Sequence, residues 1–218
     1  MSSSEALVEA AKAGDLLKVR ELIRSSPALA NSRLATGESP IMAALYRGHR
    51  DVVHELAESI GTVDVFAAAA LGRLDDLRQA LRRSDAVNDV AYDGWTPLHL
   101  AAFFGALDAA QLLIDSGADL QAVSRNALHN TALHAATAGG HQDIALLLID
   151  RGADVTVPDA GKHTPLHIAA ESGLIDVVKA LLARGADPLA VDGDDQTPLS
   201  RAAAKNRHEV VDLINGAS

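Results

Sequence analysis

The chain has 218 residues, of which 48% are hydrophobic and 22% charged, a composition typical of a folded globular protein. Without cysteine it can form neither disulfides nor thiolate metal sites, and its formal net charge of −10 opposes nucleic-acid binding. It contains no apolar run of the roughly 20 residues that span a bilayer and no signal-like start, so we expect a cytoplasmic protein without membrane contact.

Taken in chain order, the predicted elements are helix pairs that repeat. Abundant Ala and Leu, with only 3% aromatic residues, favour closely packed helices over sheets. The first pair, around Gly14, carries many charged residues, as the end of a stack should. Ser39-Pro40 opens the second pair, and later pairs open with Thr96-Pro97-Leu98-His99, Thr131-Ala132-Leu133-His134, Thr164-Pro165-Leu166-His167 and Thr197-Pro198-Leu199-Ser200.

Each of these tetrapeptides predicts the start of a helix. The threonine hydroxyl can accept a hydrogen bond from a free N–H group of the first turn, and proline suits the first helical position. A turn residue follows nine positions after each threonine, and Gly-Ala-Asp at 117–119, 152–154 and 185–187 predicts the end of a longer second helix. The pattern therefore predicts seven helix-turn-helix units.

Two units depart from this spacing. Only 24 residues separate Gly48 from Gly72, where an intact unit has 33, so the third unit should lack its leading loop and leave a notch in the row of loops. The loop 123–130 carries about two extra residues and should bulge. Ser200 and Arg201 make the last unit more polar, as expected for the C-terminal cap of one complete stack.

These motifs resemble those of ankyrin-repeat proteins, and the resemblance covers essentially the whole chain. It implies an all-α repeat solenoid in which helix-turn-helix units are joined by β-hairpin-like loops. The single domain would comprise units 4–33 (the N-terminal cap), 34–60, 61–90 (without its leading hairpin), 91–125, 126–158, 159–191 and 192–218 (the C-terminal cap). Members of this family are commonly monomers, which we adopt as the expectation.

The sequence offers no catalytic or metal-binding constellation. In this family His99, His134 and His167 typically bond the backbone of connecting loops, and one histidine per unit is poor geometry for binding one zinc ion together. Asp192, Asp194 and Asp195 lack calcium-loop spacing and are expected to form a solvated acidic tip. Phosphate-binding loops and serine elbows are also absent, so we expect no enzyme activity, no metal and no cofactor.

By resemblance, binding should use the loop tips and the ends of the short helices. The residues at those positions with the best contact chemistry are Tyr46, Arg47, Tyr92, Asp93, Trp95, Phe103, Phe104, His163 and Glu171. We expect a hot spot near the notch, facing the concave groove and formed by Tyr46, Tyr92, Trp95, Phe103 and Leu71. The alternative is that Trp95, Tyr92 and Phe104 fold over the exposed helices as local core.

We therefore expect a non-catalytic interaction module that binds a partner protein through its concave groove and hairpin tips. The acidic charge favours a partner with a basic surface. The alternative is a regulatory or inhibitory subunit that masks an enzyme. An enzyme or small-molecule binder is the least favoured class, because it needs a deep pocket and the sequence suggests only the notch at residues 57–66.

Overall fold

The computed structural model describes residues 2–83 and 86–216. Within these ranges the chain forms seven helix pairs. The first, inner helices are α1 (Ser3–Ala13), α3 (Pro40–Tyr46), α5 (Val65–Leu71), α7 (Pro97–Phe104), α9 (Ala132–Ala138), α11 (Pro165–Ser172) and α13 (Pro198–Ala204). The second, outer helices are α2 (Leu16–Ser25), α4 (Arg50–Ile60), α6 (Leu74–Arg83), α8 (Leu107–Asp115), α10 (Gln142–Asp150), α12 (Ile175–Ala183) and α14 (His208–Gly216). Short 3₁₀ turns lie at Pro27–Asn31 and Ala86–Asn88.

The inner helices begin where the sequence predicts. The Thr96 hydroxyl accepts a hydrogen bond from the N–H of His99, and Ser39 and Thr197 cap their helices in the same way. The third unit has lost the tetrapeptide, but Asp64 takes over the capping role by accepting from the N–H groups of Phe66 and Ala67, both at 2.9 Å. A carboxylate thus replaces the hydroxyl cap at α5.

Packing of neighbouring pairs forms one continuous core. Units 1 to 6 contribute fully buried leucines, among them Leu98, Leu133 and Leu166 from the inner row and Leu113, Leu148 and Leu181 from the outer row. Small alanines fill the remaining inner positions and allow the helices to approach closely. None of the described helices has the length and apolar character needed to cross a lipid bilayer.

Five hairpin-like loops, here called fingers, precede the inner helices of units 2 and 4–7. Each is closed by a backbone hydrogen bond, and no residue of the described ranges is in a β-strand. They are finger 1 (34–38), finger 2 (91–95), finger 3 (124–130), finger 4 (159–163) and finger 5 (192–196). Finger 3 is two residues longer than the others. The backbone joins finger 2 to 3, 3 to 4 and 4 to 5 through Arg125 N–H to Gly94 O, Ala160 N–H to Leu128 O and Gly193 N–H to Gly161 O.

The junction between units 2 and 3 differs from the others. Four residues, 61–64, connect α4 to α5, so no finger precedes α5. Across this junction α3 hardly contacts α5 and α4 hardly contacts α6, whereas every other successive inner or outer pair packs side by side. Polar links replace the helix contacts: Arg33 pairs with Asp64, and Arg73 donates to Ala57 O at 3.1 Å and to Gly61 O at 2.6 Å.

Fingers 1 and 2 are nevertheless in direct contact, although no finger lies between them at unit 3. Finger 2 packs directly on finger 1, since a Cβ atom added to Gly37 would lie only 2.7 Å from Cβ of Tyr92. The sequence led us to expect a notch at this place. The structure shows no notch in the row of fingers, because finger 2 lies in contact with finger 1, which belongs two units before it.

Candidate functional site

The recurring histidines act as links between units. His99 Nε2 lies 2.9 Å from Asn130 O, His134 Nε2 lies 3.1 Å from His163 O, and His167 Nε2 lies 3.1 Å from Gln196 O. At His134, Nδ1 accepts from the N–H of Thr131, so Nε2 carries the proton and donates to the next unit. Burial lowers the pKa of all three imidazoles, which favours this neutral form.

Such links leave the histidines in separate units, as expected from the sequence. Among the described residues no group of three His, Asp or Glu side chains could hold a metal ion. The shallow depressions beside residues 57–66 have volumes of about 330 and 460 Å³ and open broadly to solvent. They do not gather convergent polar groups around a deep cavity.

Aromatic side chains from units 2 and 4 meet across unit 3. We call Tyr46, Trp95, Phe103 and Phe104 the aromatic cluster. The ring centroid of Tyr46 lies 5.5 Å from that of Phe104 and 6.4 Å from that of Trp95. Trp95 meets Phe103 edge to face at 5.0 Å, and the two phenylalanines meet at 5.2 Å. These distances suit favourable aromatic pairing.

Asp93 at the tip of finger 2 fixes the edge of this cluster. Its carboxylate accepts a hydrogen bond from the Tyr46 hydroxyl and another from the N–H of Trp95 at 3.2 Å. Asn126 of finger 3 donates to the backbone carbonyl of Asp93 at 2.9 Å. Burial and the neighbouring Asp93 carboxylate raise the pKa of Tyr46, so the phenol stays neutral and keeps donating.

The predicted binding residues divide by exposure. Tyr46 and Tyr92 are 37% and 38% exposed, and Arg47 is exposed with no partner for its guanidinium among the described residues. Phe103 and Phe104 are half-buried, as is Leu71, which packs on the core. Trp95 is only 6% exposed. In the free protein Trp95 is therefore local core, the alternative that the sequence left open, and not an accessible surface anchor.

His163 and Glu171 lie in a separate polar cluster between units 6 and 7. His163 Nδ1 is 3.1 Å from Asp159, and its Nε2 is 3.2 Å from a guanidinium nitrogen of Arg201. Glu171 faces Arg201 at 3.8 Å and Lys205 at 3.3 Å. These two predicted residues therefore already have partners and are not part of the aromatic cluster.

Asp192 is the centre of this polar cluster. The expectation of a solvated acidic tip is wrong for Asp192, because its side chain is buried and lies 2.6 Å from Arg201. Burial alone would raise its pKa. Hydrogen bonds from Arg201 and from the N–H groups of Gln196 and Asp194 outweigh that effect and lower the pKa of Asp192 to about 2.

Sequence reasoning missed the residues that hold the unit 2 to unit 3 junction. Arg33 and Arg73 make these contacts over 12 to 31 positions, and no repeat motif contains them. Asn126, which links finger 3 to Asp93 over 33 positions, was missed as well. The Tyr46 to Asp93 bond joins residues 47 positions apart. The unusual spacing around residue 61 was the one available signal that this region would differ.

Comparison with known proteins agrees with the repeat architecture. A family model described as "Ankyrin repeats (3 copies)" matches residues 7–122, 65–159 and 157–218. Over 82 residues the chain is 40% identical to "Protein phosphatase 1 regulatory subunit 12A" of Mus musculus and of Rattus norvegicus, an alignment covering 37% of this chain and 8% of each relative. Over 54 residues it is 48% identical to "Potassium channel KOR2" of Oryza sativa subsp. japonica, covering 25% of this chain and 8% of the channel. The chain thus matches only 8% of the length of these curated relatives.

The helix pairs, the histidine links between units and the three matched stretches, which together cover residues 7–218, all agree. This chain belongs to the ankyrin-repeat family.

Proposed function

We propose that the chain is a non-catalytic adaptor or regulator that binds a partner protein through its concave groove and finger tips. Ankyrin repeats are protein-interaction modules, and the family is generally non-catalytic. The observation that carries the proposal is the exposed set Tyr46, Arg47 and Tyr92, which lies where the repeat scaffold leaves side chains free. The scaffold's own polar residues, by contrast, are engaged in links between units.

Charge distribution supports a partner with a basic surface. Acidic residues far outnumber basic ones in residues 86–218, whereas the two are nearly balanced before residue 86, so units 4–7 carry most of the net charge of −10. Such a field speeds the approach of a basic partner at low salt. The proposal includes a monomer located in the cytoplasm, and light scattering of the purified chain would test the first of these.

The test is affinity capture from the native source with the Arg47→Ala/Tyr92→Ala double variant beside the wild type. Both side chains are exposed, so the variant should keep its thermal midpoint within a few degrees. Leu189→Ala is the control, because Leu189 is 73% exposed but lies far along the chain, after α12. We expect a partner that the double variant loses and the control retains. Equal capture by all three proteins would contradict the proposal.

A second candidate is a regulatory or inhibitory subunit of an enzyme. Its support is the partial match to a regulatory subunit of protein phosphatase 1. Titration of the chain into the catalytic subunit of protein phosphatase 1, followed by phosphatase activity, tests this candidate directly. A saturable change in activity that Arg47→Ala/Tyr92→Ala weakens would favour it, and an unchanged activity at micromolar chain would oppose it.

A further inference from the structure

We propose that Asp93, flanked by Tyr46 and Tyr92, is the receptor for one arginine side chain of the partner. This inference rests on the proposed function and names the chemical group of the partner that finger 2 binds. It follows from an unpaired charge, from free lone pairs on the carboxylate and from two exposed aromatic rings at the same place.

Asp93 differs from the acids around it in having no cationic partner among the described residues. The neighbouring acids of the junction are paired, Glu38 with Lys12 at 2.9 Å and Asp64 with Arg33. In the later fingers Asp159 contacts His163, and Asp192 and Asp194 contact Arg201. Asp93 is half-buried and has no Lys, Arg or His partner among the described residues. A half-buried carboxylate interacts with an incoming cation more strongly than one in bulk water.

Both oxygens of the Asp93 carboxylate accept a hydrogen bond. One oxygen accepts from the Trp95 N–H and the other from the Tyr46 hydroxyl. A carboxylate has about four acceptor positions, so among the described residues one position on each oxygen has no hydrogen-bond partner. A planar guanidinium donates two parallel N–H bonds and can fill both positions together, whereas an ammonium group acts as a single point charge. The open pair therefore favours arginine over lysine.

Two tyrosine rings flank Asp93. Tyr46 and Tyr92 are each more than a third exposed, and both adjoin Asp93, one through its hydroxyl and the other as its neighbour in the chain. Guanidinium groups stack on aromatic faces within about 6 Å of the ring centroid. Burial, with Glu38 and Asp93 nearby, raises the pKa of Tyr92, so this ring also remains neutral. The side chain of an arginine bound to Asp93 would thus pack against the rings of Tyr46 and Tyr92.

Trp95 provides the signal for a direct test, because it is the only tryptophan and touches Tyr46. The probe is the peptide acetyl-Gly-Arg-Gly-amide, and the matched control peptide carries neutral citrulline in place of arginine. Binding is followed at constant ionic strength by Trp95 fluorescence and by the NMR shifts of the Asp93 and Trp95 amides. We expect saturable changes with the arginine peptide at millimolar concentration and none with the citrulline peptide.

Two variants make the test specific. Asp93→Asn keeps the shape of the side chain but removes its charge, and should weaken binding of the arginine peptide by about tenfold or more. Asp195→Asn removes the same charge from finger 5 and should leave the affinity unchanged. Tyr46→Phe removes the hydroxyl but keeps the ring and the Asp93 charge, so it should bind at least as well as the wild type, even if Asp93→Asn folds poorly.

Absence of a saturable change in the wild type, or equal binding of the citrulline peptide, would overturn the inference. So would unchanged affinity in folded Asp93→Asn, or loss of binding in folded Tyr46→Phe. Failure of the peptide test, combined with a partner lost from Arg47→Ala/Tyr92→Ala in the capture experiment, would remove the arginine receptor and leave the interaction function standing.

Discussion

At the scale of single residues, the threonine and histidine of each repeat motif combine a local cap with a link to the next unit. Thr131 and His134 contact each other within one helix start, while the far side of the same imidazole reaches His163 O of the following finger. Because Nδ1 of His134 accepts from the Thr131 N–H, this buried ring is uncharged. Protonation would turn the accepting nitrogen into a donor and break the arrangement.

We predict that acid weakens the protein from near neutrality downward. Burial lowers the pKa of His99, His134 and His167 below the ordinary 6.5. Below about pH 6.5 the unfolded chain binds these protons and the folded chain does not, so the free energy of unfolding falls, by at most about 1.4 kcal/mol per pH unit for each histidine. Urea midpoints between about pH 7.5 and about pH 5 would measure this loss.

Asp192 gives a second, separate window. Its pKa of about 2 lies below the ordinary 3.8, so its contribution to the free energy of unfolding is complete above pH 3.8 and disappears as the pH falls from 3.8 towards 2.

A variant separates the histidine effect from that of Asp192. His134→Gln should reduce the loss of stability between about pH 6.5 and 5 without changing the loss below about pH 4. A urea midpoint that stays constant down to about pH 5 would contradict the assignment.

What the sequence predicts at this scale follows from repetition. One histidine per motif indicates equivalent roles, and the structure confirms this for His99, His134 and His167. The sequence left the burial of Trp95 as an open alternative and missed that of Asp192, because each depends on a neighbour brought close by the fold. Tyr46 is 47 residues from Asp93, and Arg201 belongs to the helix that follows Asp192.

At the scale of elements, the third unit shows how a helix pair can be kept without its finger. Asp64 caps α5, and Arg73 bonds carbonyl groups at the end of α4. Spacing alone predicts the missing loop, because residue counts between turns are local information. Contact between fingers 1 and 2 could not be predicted, since it depends on how far α5 lies from α3.

We predict that Gly37→Ala is more destabilising than Gly48→Ala. Both glycines have positive φ, +93° and +73°, so alanine is strained at either position by about 1 kcal/mol. At Gly48 the added methyl group meets nothing within 4 Å, whereas at Gly37 it meets Cβ of Tyr92 at 2.7 Å. Finger 2 must then move away from finger 1, at a further cost of about 1 kcal/mol or more. Thermal unfolding of the two variants measures the difference, and equal midpoints would show that the fingers do not press together.

At the scale of the whole molecule, the stability of each unit depends on its contacts with its neighbours. A solenoid is stabilised by its units and by the interfaces between neighbours, and the interface between units 2 and 3 has few helix contacts. Interfaces of this kind open first, so residues 2–60 should unfold as a group before the units that follow.

Native-state hydrogen exchange measures this behaviour. We expect the amides of α1 to α4 to exchange faster than those of α7 to α12 at equal burial. Arg73→Met removes the bonds to Ala57 O and Gly61 O, and also the pair with Asp76 inside unit 3. It should speed exchange in α1 to α4 by about tenfold, with little change in α9 to α12. Arg151→Met, which removes an exposed pair with Asp115, serves as the control. Uniform exchange along the chain would argue against a weak junction.

Tyr46 at the end of α3 and Tyr92 of finger 2 both adjoin Asp93, although they belong to opposite sides of this weak junction. A ligand that binds both side chains at once therefore stabilises the packing of units 1 and 2 on the rest of the chain. By thermodynamic linkage, binding at Tyr46 and Tyr92 should then slow hydrogen exchange in α1 and α2, although the bound molecule does not touch these helices.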